Sequence, residues 1–186
     1  MRLFIAIEIP ENIRTGFASL LKEFRAIAPQ VKWVRAENLH VTLKFLGETD
    51  SAKLGALQNV LSTVRSPDPV SLEFRGLGFF PNDKRPRVFW AGMEASANLK
   101  SLAADVDQAV HQLGFSREER PYAPHLTLAR IPLPDLPSIL LQLVKEKSSL
   151  SFGSIRTTEF RLIESKLKPA GAEYTTVRTF RFALGG

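Results

Sequence analysis

The sequence predicts a mixed fold of strands and helices, built as two similar lobes about an approximate two-fold axis. Three observations carry this. Apolar residues switch repeatedly between a period of 2 and a period of 3.6, glycine and proline punctuate the switches, and the chain matches itself at an offset of 85 residues. At that offset Arg2 falls on Arg87, Phe4 on Phe89, Ala6 on Ala91, His40 on His125, Thr42 on Thr127 and Leu43 on Leu128, without a gap. Leu3 against Val88 and Val41 against Leu126 keep apolar character. The period is too long for a solenoid and occurs twice, so the 186 residues are expected to form one domain of two lobes, about 2–80 and about 87–160.

RLFIAIEI (2–9) alternates and is rich in branched residues, which predicts a strand. Beyond Pro10, Ile13, Phe17, Leu20, Leu21, Phe24 and Ile27 recur at helical spacing. VKWV (31–34) and HVTLKFL (40–46) are the next strands, and Gly47 turns the second. Asp50 is a natural N-cap for a helix marked by Leu54, Leu57, Leu61 and Val64. The bend SPDP leads into the strand VSLEFRGLGFF. RVFWAGM (87–93) opens the second half as a strand, after which Ser96 starts and Gly114 stops a helix bearing Leu99, Leu102, Val106, Val110 and Leu113. HLTLAR (125–130) follows, and past the bend PLPDLP a helix is marked by Ile139, Leu140, Leu143 and Val144. FGSIRTTEFRLIESKL and TTVRTFRFAL complete the chain as strands around a loop KPAGAEY.

With 44% hydrophobic and 24% charged residues, the composition is that of a soluble globular protein. A net charge of +6 suits polyanions such as RNA, DNA or nucleotides. The absence of cysteine excludes disulfides, thiolate metal sites and cysteine nucleophiles, and fits a reducing compartment. The opening run LFIAIEIP is too short for a signal-peptide core and is broken by Glu8, and no stretch approaches the roughly 20 apolar residues of a membrane span. A cytoplasmic monomer with no membrane partner is expected.

The chemistry lies in HVTL (40–43) and HLTL (125–128). Side chains alternate along a strand, so His40 and Thr42 point one way and Val41 and Leu43 the other. His125 and Thr127 do the same against Leu126 and Leu128. Each strand seats its apolar face on a core and offers imidazole and hydroxyl to a cleft, where a two-fold axis sets the two copies face to face. Two imidazoles suit in-line displacement at phosphorus, one taking a proton from the nucleophile and the other giving one to the leaving oxygen. Threonine hydroxyls can donate to nonbridging phosphoryl oxygens as charge builds there. The constellation calls for no metal and no cofactor, and no carboxylate sits inside either motif. His111, late in a helix and without a motif, is given no role beyond helix-end stabilisation.

HVTLKFLGE, PHLTLAR, the opening RLFIAI, the block GFFPNDKRPRVFWAG and the late ESKLKPAGAEYTTV together resemble the RNA 2′,3′-cyclic phosphodiesterases of bacteria and archaea, also called 2′-5′ RNA ligases, of the 2H phosphoesterase superfamily. The resemblance implies a bilobal α+β fold with antiparallel sheets lining a central cleft and helices outside. It also implies hydrolysis of RNA 2′,3′-cyclic phosphate ends to 2′-phosphate. By that similarity His40 protonates the departing 3′ oxygen, His125 activates water, and Thr42 and Thr127 hold the phosphate. Attack by a 5′ hydroxyl in place of water would give a 2′-5′ linkage.

In related enzymes an aromatic three residues past the first threonine contacts the base. Here that residue is Phe45, and Arg130 stands at the equivalent place in the second motif. Strict alternation puts both on the core side, so each needs a bulge or strand end to reach the cleft. A core role is preferred for Phe45 and phosphate contact for Arg130. Lys44 shares the face of His40 and Thr42 on a regular strand and either serves the phosphates or is solvated. Tyr122 and Tyr174 are candidates for base stacking or for rim packing. The cluster Lys84, Arg85 and Arg87 is read as a solvated face, with RNA contact the rival reading, and Trp33 and Trp90 as core. Turnover on a small cyclic nucleotide such as ADP-ribose 1″,2″-cyclic phosphate, an RNA-binding module without turnover, and a two-histidine metal hydrolase remain as alternatives.

Overall fold

The computed structural model describes residues 1–132, 136–169 and 171–183. Along the chain run β1 (Arg2–Glu8), α1 (Glu11–Ile27), β2 (Lys32–Trp33), β3 (His40–Glu48), α2 (Leu54–Leu61), β4 (Val70–Phe80), β5 (Val88–Ala95), α3 (Asn98–His111), β6 (Leu126–Arg130), α4 (Ser138–Glu146), β7 (Ser151–Thr157), β8 (Glu159–Lys168) and β9 (Gly171–Arg181). The strands form two antiparallel sheets, in the orders β3-β1-β8-β9 and β2-β6-β5-β4-β7. The fold is α+β and bilobal, with the helices outside.

The sheets do not follow the halves of the sequence. β4 closes the first half of the chain yet pairs with β5 in the second sheet, and β8 from the second half pairs with β1 in the first. The first half lends β2 and β4 to the second sheet, and the second half lends β8 and β9 to the first.

β1 is buried at every position from Leu3 to Ile7 because β3 and β8 flank it and both its faces are covered. Leu3, Ile5 and Ile7 join the main core, while Phe4 and Ala6 join Ile163 in a small second cluster on the opposite face. α1 presents Ile13, Phe17, Leu20, Leu21 and Phe24 as one buried stripe, and Phe17 stacks on Phe152 of β7 at 4.1 Å between ring centroids. Phe89 of β5 lies at the aromatic centre of the core, 5.7 Å from Phe24, 6.0 Å from Trp33 and 5.2 Å from Phe79.

Several elements differ from the sequence reading in extent. VKWV yields a strand only at Lys32–Trp33, because Val34 donates to the Leu128 carbonyl and the chain then turns through a short 3-10 segment, Ala36–Asn38. Asp50 caps a 3-10 turn by accepting from the Ala52 N–H at 2.9 Å, and the helix proper starts at Leu54. Ser96 bonds Asn98 and Ser71 rather than capping its helix, whereas Gly114 takes the expected left-handed conformation with φ +84. The expected loop KPAGAEY is mostly strand, since Lys168 pairs with Gly171 and Tyr174 with Ser165. Part of the bend PLPDLP, with Ala170 of that loop and the end of TTVRTFRFAL, lies outside the described residues. No helix among the described residues is long and apolar enough to cross a membrane.

Phe89→Ala is expected to cost about 3 to 5 kcal/mol, because the rings around it cannot all collapse into the space left behind. Urea unfolding of the variant against wild type measures it.

Candidate active site

β3 and β6 carry the two motifs, and both break strict alternation at the same point. Between the pairs Ile5↔Lys44 and Ala6↔Thr42, Leu43 has no partner on β1. Between Phe89↔Ala129 and Trp90↔Thr127, Leu128 has none on β5. The extra residue reverses which face the following side chains meet. Leu43 and Lys44 are therefore buried in succession, as are Leu128 and Ala129, while Phe45 and Arg130 emerge exposed.

This places Phe45 on the His40 side of its strand, 65% exposed and 6.1 Å from the Phe4 ring, which corrects the expected core role. Lys44 is corrected in the opposite sense. At 6% exposure it leaves the face of His40 and Thr42, and its ammonium reaches the Asp107 carboxylate at 2.6 Å and the Ser116 carbonyl at 2.7 Å. Burial pushes the Asp107 carboxyl up, but the hydrogen bond and charge of Lys44 outweigh it and hold the group below the ordinary carboxylate range. Lys44 thus ties β3 to α3.

The two histidines are held alike. The Nδ1 of His40 bonds the Asn38 carbonyl at 2.7 Å, and that of His125 bonds the Ala123 carbonyl at 2.9 Å, in each case two residues upstream. A carbonyl only accepts, so Nδ1 carries the proton in the neutral ring and Nε2 is left for proton exchange with a ligand. Their settings differ. His40 is partly buried, with Phe4 at 4.6 Å and Tyr174 at 5.3 Å between ring centroids, while His125 is exposed. Burial lowers the His40 pKa from its ordinary value, and the bond to Asn38 works the other way.

Tyr174 closes the group from β9, its ring 5.0 Å from Phe4. Burial raises its pKa, while the positive charges of Arg2 and Arg130 lower it, so Arg130 of the second motif lies within electrostatic reach of the aromatic group around His40. Tyr122, three residues before His125, donates its hydroxyl to the Thr42 carbonyl at 2.9 Å, and burial pushes its own pKa up. That bond spends the phenol on holding the first motif beside the second. The sequence marks Arg2 and Phe4 only as members of the internal repeat, not as site residues. The apolar character of β1 at consecutive positions was the available sign that its second face is also covered.

Trp33 packs partly buried against the core, its Nε1 donating to the Ala28 carbonyl at 2.8 Å, but Trp90 does not join that core. The sequence match aligns Trp90 with the buried Ile5, yet β5 is slipped by one residue relative to β1, so Trp90 rather than Ala91 stands opposite Thr127. A one-residue slip moves a side chain to the other face, and the half-buried indole lies on the Thr127 side. Lys84, Arg85 and Arg87 lie exposed in the loop from β4 to β5. His111 bonds the Phe115 carbonyl at 3.0 Å and takes no part in this group.

The two antiparallel sheets each hold one His-x-Thr strand, β3 from the first half of the chain and β6 from the second. A family model described as LigT-like phosphoesterase matches residues 7–90 and 92–174. A relative from Methanothermobacter thermautotrophicus, named RNA 2′,3′-cyclic phosphodiesterase, is 37% identical over 182 residues, covering 97% of this chain and 98% of its own. The crystal structure of TT0787 from Thermus thermophilus aligns with a TM-score of 0.79 at 31% identity, covering 98% of both chains. That of E. coli LigT complexed with 3′-AMP aligns at 0.76 and 29% identity, covering 97% of both. The chain belongs to the LigT-like phosphoesterase family.

Lys44→Ala is expected to destabilise the fold by about 3 kcal/mol, because it leaves the largely buried Asp107 carboxylate without its cation. Urea denaturation reads the loss, and Lys44→Ala/Asp107→Ala should recover part of it if the cost is that stranded charge.

Proposed function

We propose that the chain hydrolyses RNA ends bearing 2′,3′-cyclic phosphate to 2′-phosphate, using His40, Thr42, His125 and Thr127. The observation that carries this reading is the matched tethering of both Nδ1 atoms to carbonyls, which reserves two Nε2 atoms for proton transfer. The relative named RNA 2′,3′-cyclic phosphodiesterase supports the substrate, and the 3′-AMP complex of E. coli LigT supports a site for a ribose-linked phosphate.

In this mechanism the His125 Nε2 takes a proton from water as the water oxygen bonds to phosphorus. The bond from phosphorus to the 3′ oxygen breaks on the opposite side, and protonated His40 gives its Nε2 proton to that oxygen. The products are a 2′-phosphomonoester and a free 3′ hydroxyl. Thr42 and Thr127 donate to the nonbridging oxygens, and Arg130 supplies positive charge as they become more negative. With a 5′ hydroxyl in place of water, the same displacement would join two RNAs through a 2′-5′ linkage. Among the described residues no group of three His, Asp or Glu side chains could hold a metal ion, and the proposal routes no step through one.

The free protein disfavours the charged form of His40 through burial. A phosphodiester anion placed beside the ring opposes that effect, so substrate itself favours the protonated acid.

The deciding experiment is turnover of a short RNA with a 2′,3′-cyclic phosphate end, in chelator, with identification of the product monoester. Wild type should form the 2′-phosphate, and His40→Ala and His125→Ala should each lose about 10² to 10⁴-fold in rate. No turnover by folded wild type, or equal turnover by either variant, would sink the proposal. The pH profile tests the assignment of roles. With His40 as the acid, kcat/KM falls as pH rises through its lowered pKa, on the acid side of about 6.5. With His40 as the base, kcat/KM would instead rise through that point.

A further inference from the structure

The two-fold relation between the motif strands fails in the residues beside them. Next to Thr42 on the first sheet stands Ala6, and beyond it Arg161, whose guanidinium pairs with Glu8. Next to Thr127 on the second sheet stands Trp90, and beyond it Gly78. Where one half has a small residue and then a large charged one, the other has the largest aromatic and then no side chain.

The space above Gly78 belongs to the indole. A methyl group at Gly78 would fall 2.5 to 2.9 Å from three ring carbons of Trp90, and one at Gly92 would fall 3.3 Å from a fourth. The six-membered ring therefore lies down across the sheet in a bed that only glycines leave open. The row continues on the same face. Val88 stands two residues before Trp90, opposite both Arg130 and Phe80, and Phe80 is 60% exposed. From Phe80 the chain enters the loop that carries Lys84, Arg85 and Arg87.

We propose that Trp90 and Phe80 form a stacking ledge for the RNA bases on the 5′ side of the cyclic phosphate, with the basic loop meeting the backbone phosphates between them. The inference rests on the RNA-end reading above. Exposed rings on a sheet face bind single-stranded bases without regard to sequence, and neighbouring cations track the backbone. A lone cyclic nucleotide has no upstream phosphate for Lys84, Arg85 or Arg87. A ledge running from Thr127 toward that loop serves a longer chain.

Fluorescence tests the ledge directly. Trp33 is partly buried against the core with its N–H engaged, and comparison with Trp90→Phe isolates the Trp90 share of any ligand-induced change. Titration of wild type with a four-nucleotide RNA ending in 2′-phosphate should quench part of the emission, and Trp90→Phe should abolish the quench. In kinetics, the preference in kcat/KM for a tetranucleotide cyclic end over a cyclic mononucleotide should fall about tenfold in Trp90→Ala, the size of one lost base-to-aromatic stack. Trp90→Phe should restore most of it, and Phe80→Ala should lower it in the same direction.

No quench in wild type, an equal quench in Trp90→Phe, or equal losses on both substrates would overturn the ledge. Quenching without turnover of any cyclic end would leave the ledge standing and remove the phosphodiesterase reading. Turnover without a Trp90 quench would do the reverse.

Discussion

A strand presents its side chains with a period of two, and the make-up of the cleft depends on where that period is interrupted. Leu43 and Leu128 are the interruptions. With either residue paired, Phe45 or Arg130 would point into the core, and Lys44 would stand on the His40 face in place of its contact with Asp107. Both leucines stay buried although neither has a partner across its ladder. A histidine and a potential binding residue thereby share one face at an odd spacing, which a regular strand cannot achieve.

The register of β5 is a second control of the same kind. Its slip by one residue relative to β1 puts Phe89 into the aromatic core and Trp90 over Thr127. The halves keep the same backbone plan and the same tethering of histidine, yet line the cleft with different chemistry. The first sheet brings a packed group of Phe4, His40 and Tyr174, and the second an exposed histidine and, opposite Thr127, a large indole. The proposed substrate, with one leaving oxygen and one chain direction, is itself asymmetric.

The helices, the long strands and both His-x-Thr pairs were legible in the sequence because period and punctuation are local signals. Ile13, Phe17, Leu20, Leu21 and Phe24 sit where their spacing put them. What was not legible depends on a partner strand. Nothing within LKFLGE reveals that Leu43 has no partner across the ladder, so simple alternation puts Phe45 into the core and Lys44 out of it. Trp90 reads as core from its place in an apolar strand, and only the register of β5 against β6 shows that it stands opposite Thr127. The bond from Tyr122 to the Thr42 carbonyl joins residues 80 positions apart and leaves no local trace.

The exchange of β4 and β8 between the sheets bears on how the molecule is assembled. The first sheet is not complete until the chain has been made almost to its end, since β1 waits for a strand more than 150 residues downstream, and the second waits for β7. Such distant pairing raises contact order and slows the search for the native state. It also resembles strand swapping between two copies of a half-length chain, now joined by a covalent link. A half expressed alone would expose an unpaired edge on its sheet, and its readiest remedy is a second half.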